Sequence, residues 1–240
     1  NAEGIPEQVN VGAGGASIVV NPNTTTNYEL TYVTDLKGCE SILSDNTTLV
    51  VNEIPQATFT SPSEVCDGEV IQLKFDCTAG AAPWIISYSV NGIATSIPLN
   101  NPNDSIAISP SSQTIYTIDS ITDNNNCKSN ITQSLIISTN PLPEIILSGG
   151  GSTCDDGSTV DVTFTINSGT PPYNLDYSAG LISHSDANIG NIYTISTHES
   201  GVYTIQNLTD SKGCQAISIS GNAYVNINPS PEANISLYPQ

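Results

Sequence analysis

Tyr203-Thr-Ile-Gln-Asn-Leu-Thr-Asp210-Ser-Lys-Gly-Cys214 is the third appearance of one pattern in this chain. Tyr28-Glu-Leu-Thr-Tyr-Val-Thr-Asp35-Leu-Lys-Gly-Cys39 and Tyr116-Thr-Ile-Asp-Ser-Ile-Thr-Asp123-Asn-Asn-Asn-Cys127 precede it. Each time Asp follows Tyr by 7 residues and Cys follows Asp by 4, and the three cysteines step by 88 and 87. Other landmarks share the register. Pro55, Pro143 and Pro231 step by 88, as do Gly4, Gly92 and Gly180, and Cys66-Asp-Gly68 lies 88 residues before Cys154-Asp-Asp-Gly157. A fixed period over this many positions predicts tandem structural repeats.

The prolines sit in polar connections, Asn52-Glu-Ile-Pro55, Asn140-Pro-Leu-Pro143 and Asn228-Pro-Ser-Pro231. Proline cannot continue a sheet ladder and stiffens a connection, so the boundaries fall there. Residues 1–54 read as the back part of a repeat, 55–142 and 143–230 as complete repeats, and 231–240 as the first strand of another. The chain thus reads as a window on a longer array.

Each complete repeat reads as all-β. Val160, Val162, Phe164 and Ile166 alternate with polar residues, as do Ile71, Leu73, Phe75 and Cys77. Trp84, Ile86 and Tyr88 follow the same rule, as do Tyr173, Leu175 and Tyr177. Period two puts one face inside and the other outside, and no stretch of ten or more residues carries a helical period. Strand-like runs spaced by Gly, Asn and Pro turns predict a two-sheet sandwich of immunoglobulin-like order. In the first complete repeat the strands are expected near 57–65, 69–77, 84–90, 104–108, 114–122 and 127–138. Tyr116 enters the strand near 114–122, and Tyr203 its counterpart in the next repeat, where a tyrosine corner would sit. Asp123 and Asp210 fall in the turn that follows, where an Asp side chain can accept from amides two residues on.

Composition excludes whole classes of function. The 240 residues hold 4 Lys and no Arg against 23 acidic residues, a net charge of −19. Binding a phosphate backbone or an anionic membrane surface needs clustered cations, so nucleic acid and direct membrane binding are not expected. No apolar run approaches the roughly 20 residues of a membrane span. Residues 1–20 lack the basic and apolar regions of a signal peptide.

The pieces Cys66-Asp-Gly68, Gly80-Ala-Ala-Pro83-Trp84-Ile-Ile-Ser-Tyr88 and Asp123 to Cys127 resemble repeats of giant secreted surface proteins of Bacteroidota. Gliding-motility adhesins of the SprB type are among these. Cys154 to Gly157, Gly169-Thr-Pro-Pro172-Tyr173-Asn-Leu-Asp-Tyr177 and Asp210 to Cys214 match the same pattern, with Asn126 standing where the other turns have Gly38 and Gly213. The resemblance implies secretion, an extracellular cell-surface location and a stalk or adhesin role. Its implied partners are neighbouring repeats of the same chain and, through the full-length protein, external surfaces or polysaccharide. Two Asp-Ser-Ile triplets resemble the O-glycosylation motif of that phylum, which makes Ser105 and Ser120 candidate acceptors.

Six cysteines in a secreted-looking chain suggest disulfides. One arrangement pairs Cys66 with Cys127 and Cys154 with Cys214 inside repeats. The expected strand order favours another. Cys66 would end the first strand at one pole, and Cys127 would begin the last strand at the opposite pole. About ten residues at ~3.3 Å separate those levels, whereas a disulfide holds Cα atoms within ~7 Å. The alternative is Cys66–Cys214 across the junction, with Cys127 bonding a preceding repeat and Cys154 a following one. Both arrangements stay open at this point, and Cys39 is a further disulfide candidate at the same turn position. Cys77 aligns with inward-facing Ile166 and reads as a buried free thiol.

No catalytic chemistry is legible. His184 and His198 lie in no metal or general-base motif and read as surface or loop residues. Gly149-Gly-Gly151 reads as a flexible loop, since no phosphate-binding helix follows it. Trp84 aligns with Tyr173, which points to packing rather than a sugar platform. No cofactor is expected. Calcium is the one ion worth weighing, through Glu144, Asp155, Asp156 and Asp210 near the junctions, but the spacing matches no calcium motif and acidity also serves solubility. The leading expectation is a non-catalytic stalk segment of an extracellular adhesin or filament. The alternatives are accessory modules of a large secreted enzyme, or modules that bind carbohydrate.

Overall fold

The structure, a computed structural model, describes residues 7–236. Among the described residues there is no helix. The chain divides into two compact units. The first gathers residues up to Thr60 with Leu73–Ile106 and Tyr116–Ser134, and the second gathers Ser61–Gln72, Ala107–Ile115 and everything from Leu135 on. These units do not follow the boundaries read at 54/55 and 142/143. Residues 61–72 belong to the second unit, and within it Cys66 is bonded to Cys214.

In the first unit, β1 (Thr26–Thr34) and β2 (Glu40–Leu49) form a two-stranded antiparallel hairpin. β3 (Gln56–Thr60) pairs with β5 (Ile71–Ala79), after the short β4 (Glu64–Cys66) that belongs to the second unit. The alternation in Ala57, Phe59, Leu73, Phe75 and Cys77 buries all five side chains on one face. β6 (Trp84–Val90) pairs antiparallel with β7 (Ile93–Leu99), and β8 (Ser105–Ile108) follows as an edge to β5. β9 (Thr114–Thr122) lies between β6 and β10 (Lys128–Asn140). The two layers meet through rings, with Phe75 of β5 edge-on to Tyr88 of β6 at 6.2 Å.

The second unit is a sandwich folded around one strand. β11 (Glu144–Cys154) pairs antiparallel with β12 (Val160–Ile166) through Gly149, then parallel with β18 (Ala223–Asn228) from Gly150 to Cys154. One layer continues from β12 to β15 (Ile192–Thr197). The other runs from β18 through β16 (Gly201–Asp210) and β13 (Tyr173–Ala179) to β14 (Ile182–Ile189). β17 (Ser218–Gly221) adds in parallel to the start of β11. Ile145, Leu147, Val162 and Phe164 face Tyr173, Leu175, Tyr177, Leu208 and Val225 across the core. Phe164 touches Tyr177 at 5.0 Å between ring centres. These apolar faces, removed from water, supply the main driving force of the unit.

Gly149-Gly-Gly151 is not a flexible loop. It lies inside β11, at the point where the strand passes from one layer to the other. All three glycines have positive φ, and a Cβ on Gly150 would stand 2.5 Å from the Tyr224 carbonyl oxygen. Only glycine allows that approach in that conformation. In the preceding segment the same passage, from β3 on β5 to β4 on β10, is made by Ser61-Pro62-Ser63. Two strands were not foreseen, β7 and β14. Both are mostly exposed along their length, so they carry little inside-outside alternation to read. The strand expected over 231–240 is not formed by residues 231–236, and 237–240 lie outside the described residues. Gly4, the first member of the glycine landmark, also lies outside them.

Candidate functional site

The repeated Asp is the organising residue of its turn. At Asp35, Asp123 and Asp210 the backbone N–H donates to the carbonyl of the cysteine four residues on, each at 3.0 Å. One carboxylate oxygen then accepts from the amides two and four residues on: Lys37 and Cys39, Asn125 and Cys127, and Lys212 and Cys214. The residue before each cysteine has positive φ: Gly38 at 84°, Asn126 at 62° and Gly213 at 85°. Asn is the non-glycine residue that best tolerates that region, which explains Asn126.

The two later turns also reach a second loop. The other oxygen of Asp123 accepts from Ala81 N at 3.0 Å, and that of Asp210 from Thr170 N at 2.9 Å. Both carboxylates are buried, at 4 % and 3 % exposure. The Ala81 amide is the main reason the Asp123 carboxyl lies below its ordinary range. The loops carry the Gly-Pro landmarks. A Cβ on Gly80 would lie 2.8 Å from Pro55, and one on Gly169 would lie 2.8 Å from Pro143. Each glycine is therefore packed under the proline of its own segment. Trp84 Nε1 donates to Ala79 O and Tyr173 OH to Ser168 O, and both rings are buried. The aligned aromatics do the same packing job, and neither is a sugar platform.

Cys214 closes the third turn, and it is disulfide-bonded to Cys66 across a sequence separation of 148 residues. Cys66 ends β4, which lies parallel to the last residues of β10 with Cys66 opposite Asn140. Beside the bond, Lys212 Nζ donates to Glu64 Oε2 at 2.7 Å, and this holds the Glu64 carboxyl below its ordinary range. Two residues of β4 are thus tied to two residues of one turn, all within the second unit.

The pairing within repeats, Cys66 with Cys127 and Cys154 with Cys214, does not form. Cys127 stands just before β10, and Cys66 lies beside its last residue. Cys39, Cys77, Cys127 and Cys154 are free, Cys39 and Cys154 at exposed positions. Burial, with the charges of Asp76 and Asp104, pushes the Cys77 thiol up to about 11. It therefore packs as a small apolar side chain.

Ser120 lies on β9 opposite Ser87 with 6 % of its surface exposed, so a glycan has no room there; this corrects its reading as an acceptor. Ser105 opens β8 and is exposed. Of the residues weighed for calcium, Asp210 is buried and its carboxylate accepts from three amides. Asp155 instead faces His198, and Asp156 caps Ser158 N. Among the described residues no three His, Cys, Asp or Glu side chains converge as a metal site.

His198 follows β15 and is held by Ser158 O and Asp155, which raise its pKa above the ordinary histidine value. His184 is not a loop residue. It sits on β14, half-buried, stacked on Tyr177 at 5.0 Å and bonded to Glu199 at 2.9 Å. Sequence alone missed this contact because β14 was not recognised. Tyr203 OH donates to Glu199 O four residues upstream, the bond of a tyrosine corner.

No family model matches this chain. No curated protein matches it either. Among solved structures, a marsupial T cell receptor is similar over 78 % of this chain and 76 % of that one, at 15 % identity and a TM-score of 0.30.

Proposed function

We propose that this chain is a stalk segment of a long extracellular cell-surface adhesin or filament, built of immunoglobulin-like repeats of about 88 residues set end to end. Its work is mechanical. Each repeat buries its own apolar faces, and covalent ties between successive repeats limit bending. The observation that carries this reading is the Cys66–Cys214 bond. By the 88-residue register it joins the first-strand end of one repeat to the Asp turn of the next. A disulfide spanning 148 residues also calls for an oxidising compartment, which supports secretion.

An antibody to residues 143–230, applied to intact and to lysed cells of the source organism, tests the location. Label on intact cells is the expected result. Label that travels along the cell would favour a gliding adhesin, and static label a fixed stalk. Dark intact cells with bright lysates would overturn secretion and the stalk reading together.

A further inference from the structure

Asp155, just after β11, is tied to two other parts of its unit. Its N–H donates to Asn228 O at the end of β18, at 2.8 Å, and its carbonyl accepts from Ser230 Oγ at 3.0 Å. Its carboxylate Oδ1 stands 3.4 Å from His198 Nε2. The other ring nitrogen, Nδ1, lies 2.6 Å from Ser158 O. A carbonyl and an ionised carboxylate can only accept. A neutral imidazole carries one N–H, so it satisfies one of these oxygens and turns a lone pair on the other. The imidazolium donates to both. Asp155 and Asp156 are the charged groups that act on the ring from this turn, while Glu199, the next residue after His198, gives its carboxylate to His184. The turn 88 residues earlier supplies a comparison. Asp67 N donates to Asn140 O at 2.9 Å, as Asp155 N does to Asn228 O. There, however, Gly68 N donates to Pro110 O and Ser109 Oγ donates to Gly68 O. Pro110 lies 88 residues before His198, and these two ties contain no ionisable group.

We infer that His198 is a proton-operated latch: as the imidazolium it clasps both Ser158 O and the Asp155 carboxylate, and so keeps the connection Asn228–Ser230 fastened to the turn after β11. The neutral ring keeps its N–H on Ser158 O, the shorter of the two contacts, and releases Asp155. Asp155 then holds Asn228 and Ser230 without an anchor of its own, and the connection loosens. Ser158 O first, and Asp155 after it, hold the ring above its ordinary value of 6.5. A group whose folded pKa is raised contributes stability that is complete below the unfolded value and is lost as pH rises through the folded one. The latch is therefore shut in mild acid and opens on the alkaline side. The inference goes beyond the stalk reading and does not depend on it. In a stalk, it would make the connection that carries Pro229 stiffer in mildly acidic than in alkaline surroundings.

The test is an NMR titration of the full 240-residue chain from mild acid to mild alkali. The His198 ring signal, identified by its loss in His198→Gln, should titrate with a midpoint above 6.5. Over the same range, amide exchange at Asp155 is read as a ratio to exchange at Asp67, the counterpart with no histidine beside it. The ratio cancels the direct effect of hydroxide on exchange. It should rise about fivefold through the His198 midpoint, the equilibrium worth of one ordinary hydrogen bond. In His198→Gln the ratio should be high and flat at every pH. Asp155→Asn should move the His198 midpoint down toward 6.5, with amide signals outside the turn unchanged. A His198 midpoint at or below 6.5, a ratio that stays flat through that midpoint in the parent chain, or an unmoved midpoint in Asp155→Asn would each overturn the latch.

Discussion

The Asp35 turn and the Asp210 turn have the same internal hydrogen bonds but opposite surroundings. Asp35 is exposed at the tip of an isolated two-stranded hairpin. Asp210 is buried, bonded through its second oxygen to Thr170 N, and its cysteine is tied to Cys66. The five-residue pattern therefore encodes the turn locally, with no sandwich needed. What the sandwich adds is a use for the second carboxylate oxygen and for the thiol. The comparison separates what a turn needs to form from what it contributes once packed.

Cutting the covalent tie should give the largest separation between the turns. Cys214→Ser releases a closed span of 148 residues, which on chain-entropy grounds costs up to about 5 kcal/mol. Cys39→Ser, at an exposed free thiol, should cost less than about 0.5 kcal/mol. Urea unfolding followed by tyrosine near-UV dichroism measures both. Equal midpoints for the two variants would mean that the bond contributes nothing to the second unit. Next in size is the carboxylate. Asp210→Ala leaves three amides without their acceptor in a buried place and should cost about 3 kcal/mol. Asp35→Ala removes an exposed cap and should cost about 1 kcal/mol or less. Hydrogen exchange at Thr170, Lys212 and Cys214 would show whether those amides open first.

Acid should reproduce part of this contrast without mutation. The amide of Ala81, followed by those of Cys127 and Asn125, holds the Asp123 carboxyl below its ordinary value of 3.8. A carboxylate whose folded pKa is depressed contributes stability that is complete above the unfolded value and is lost as pH falls through the folded one. The middle turn should therefore loosen only well below pH 3.8. The sole tryptophan, Trp84, donates to Ala79 O beside this loop, so its fluorescence reports the loss. A transition centred at or above 3.8 would show that the Ala81 bond does not favour the charged form.

Much of this was legible beforehand, for identifiable reasons. Strands with one buried face, such as β5 and β12, announce themselves through alternation. The Asp turn was legible because its bonds are local. What escaped depends on distant pairing. β7 and β14 are edge strands with little buried face, and missing β14 hid the contact of His184 with Tyr177 and Glu199. The three glycines of β11 looked like a loop because glycine lowers strand propensity. Their place is fixed by Asp161 and Tyr224, which lie far along the chain. Ser120 matched a motif on composition, and only the packing of β9 shows that it is buried.

The smallest expected effect tests the turn at its finest grain. Asn126 holds φ at 62°, where Gly38 and Gly213 stand at 84° and 85°. Asn126→Gly relieves the side-chain penalty of the left-handed region, but it also gives the unfolded chain more freedom to lose on folding. The two effects oppose each other at similar size, so the net change should fall within about 0.5 kcal/mol of zero. The reverse change, Gly213→Asn, should be equally mild if the three turns are one local structure, because the Asp bonds it must preserve are the same. A cost well above about 1 kcal/mol for Gly213→Asn alone would place the requirement for glycine in the bonded junction rather than in the turn. The third turn would then be shaped by its partner as well as by its own five residues.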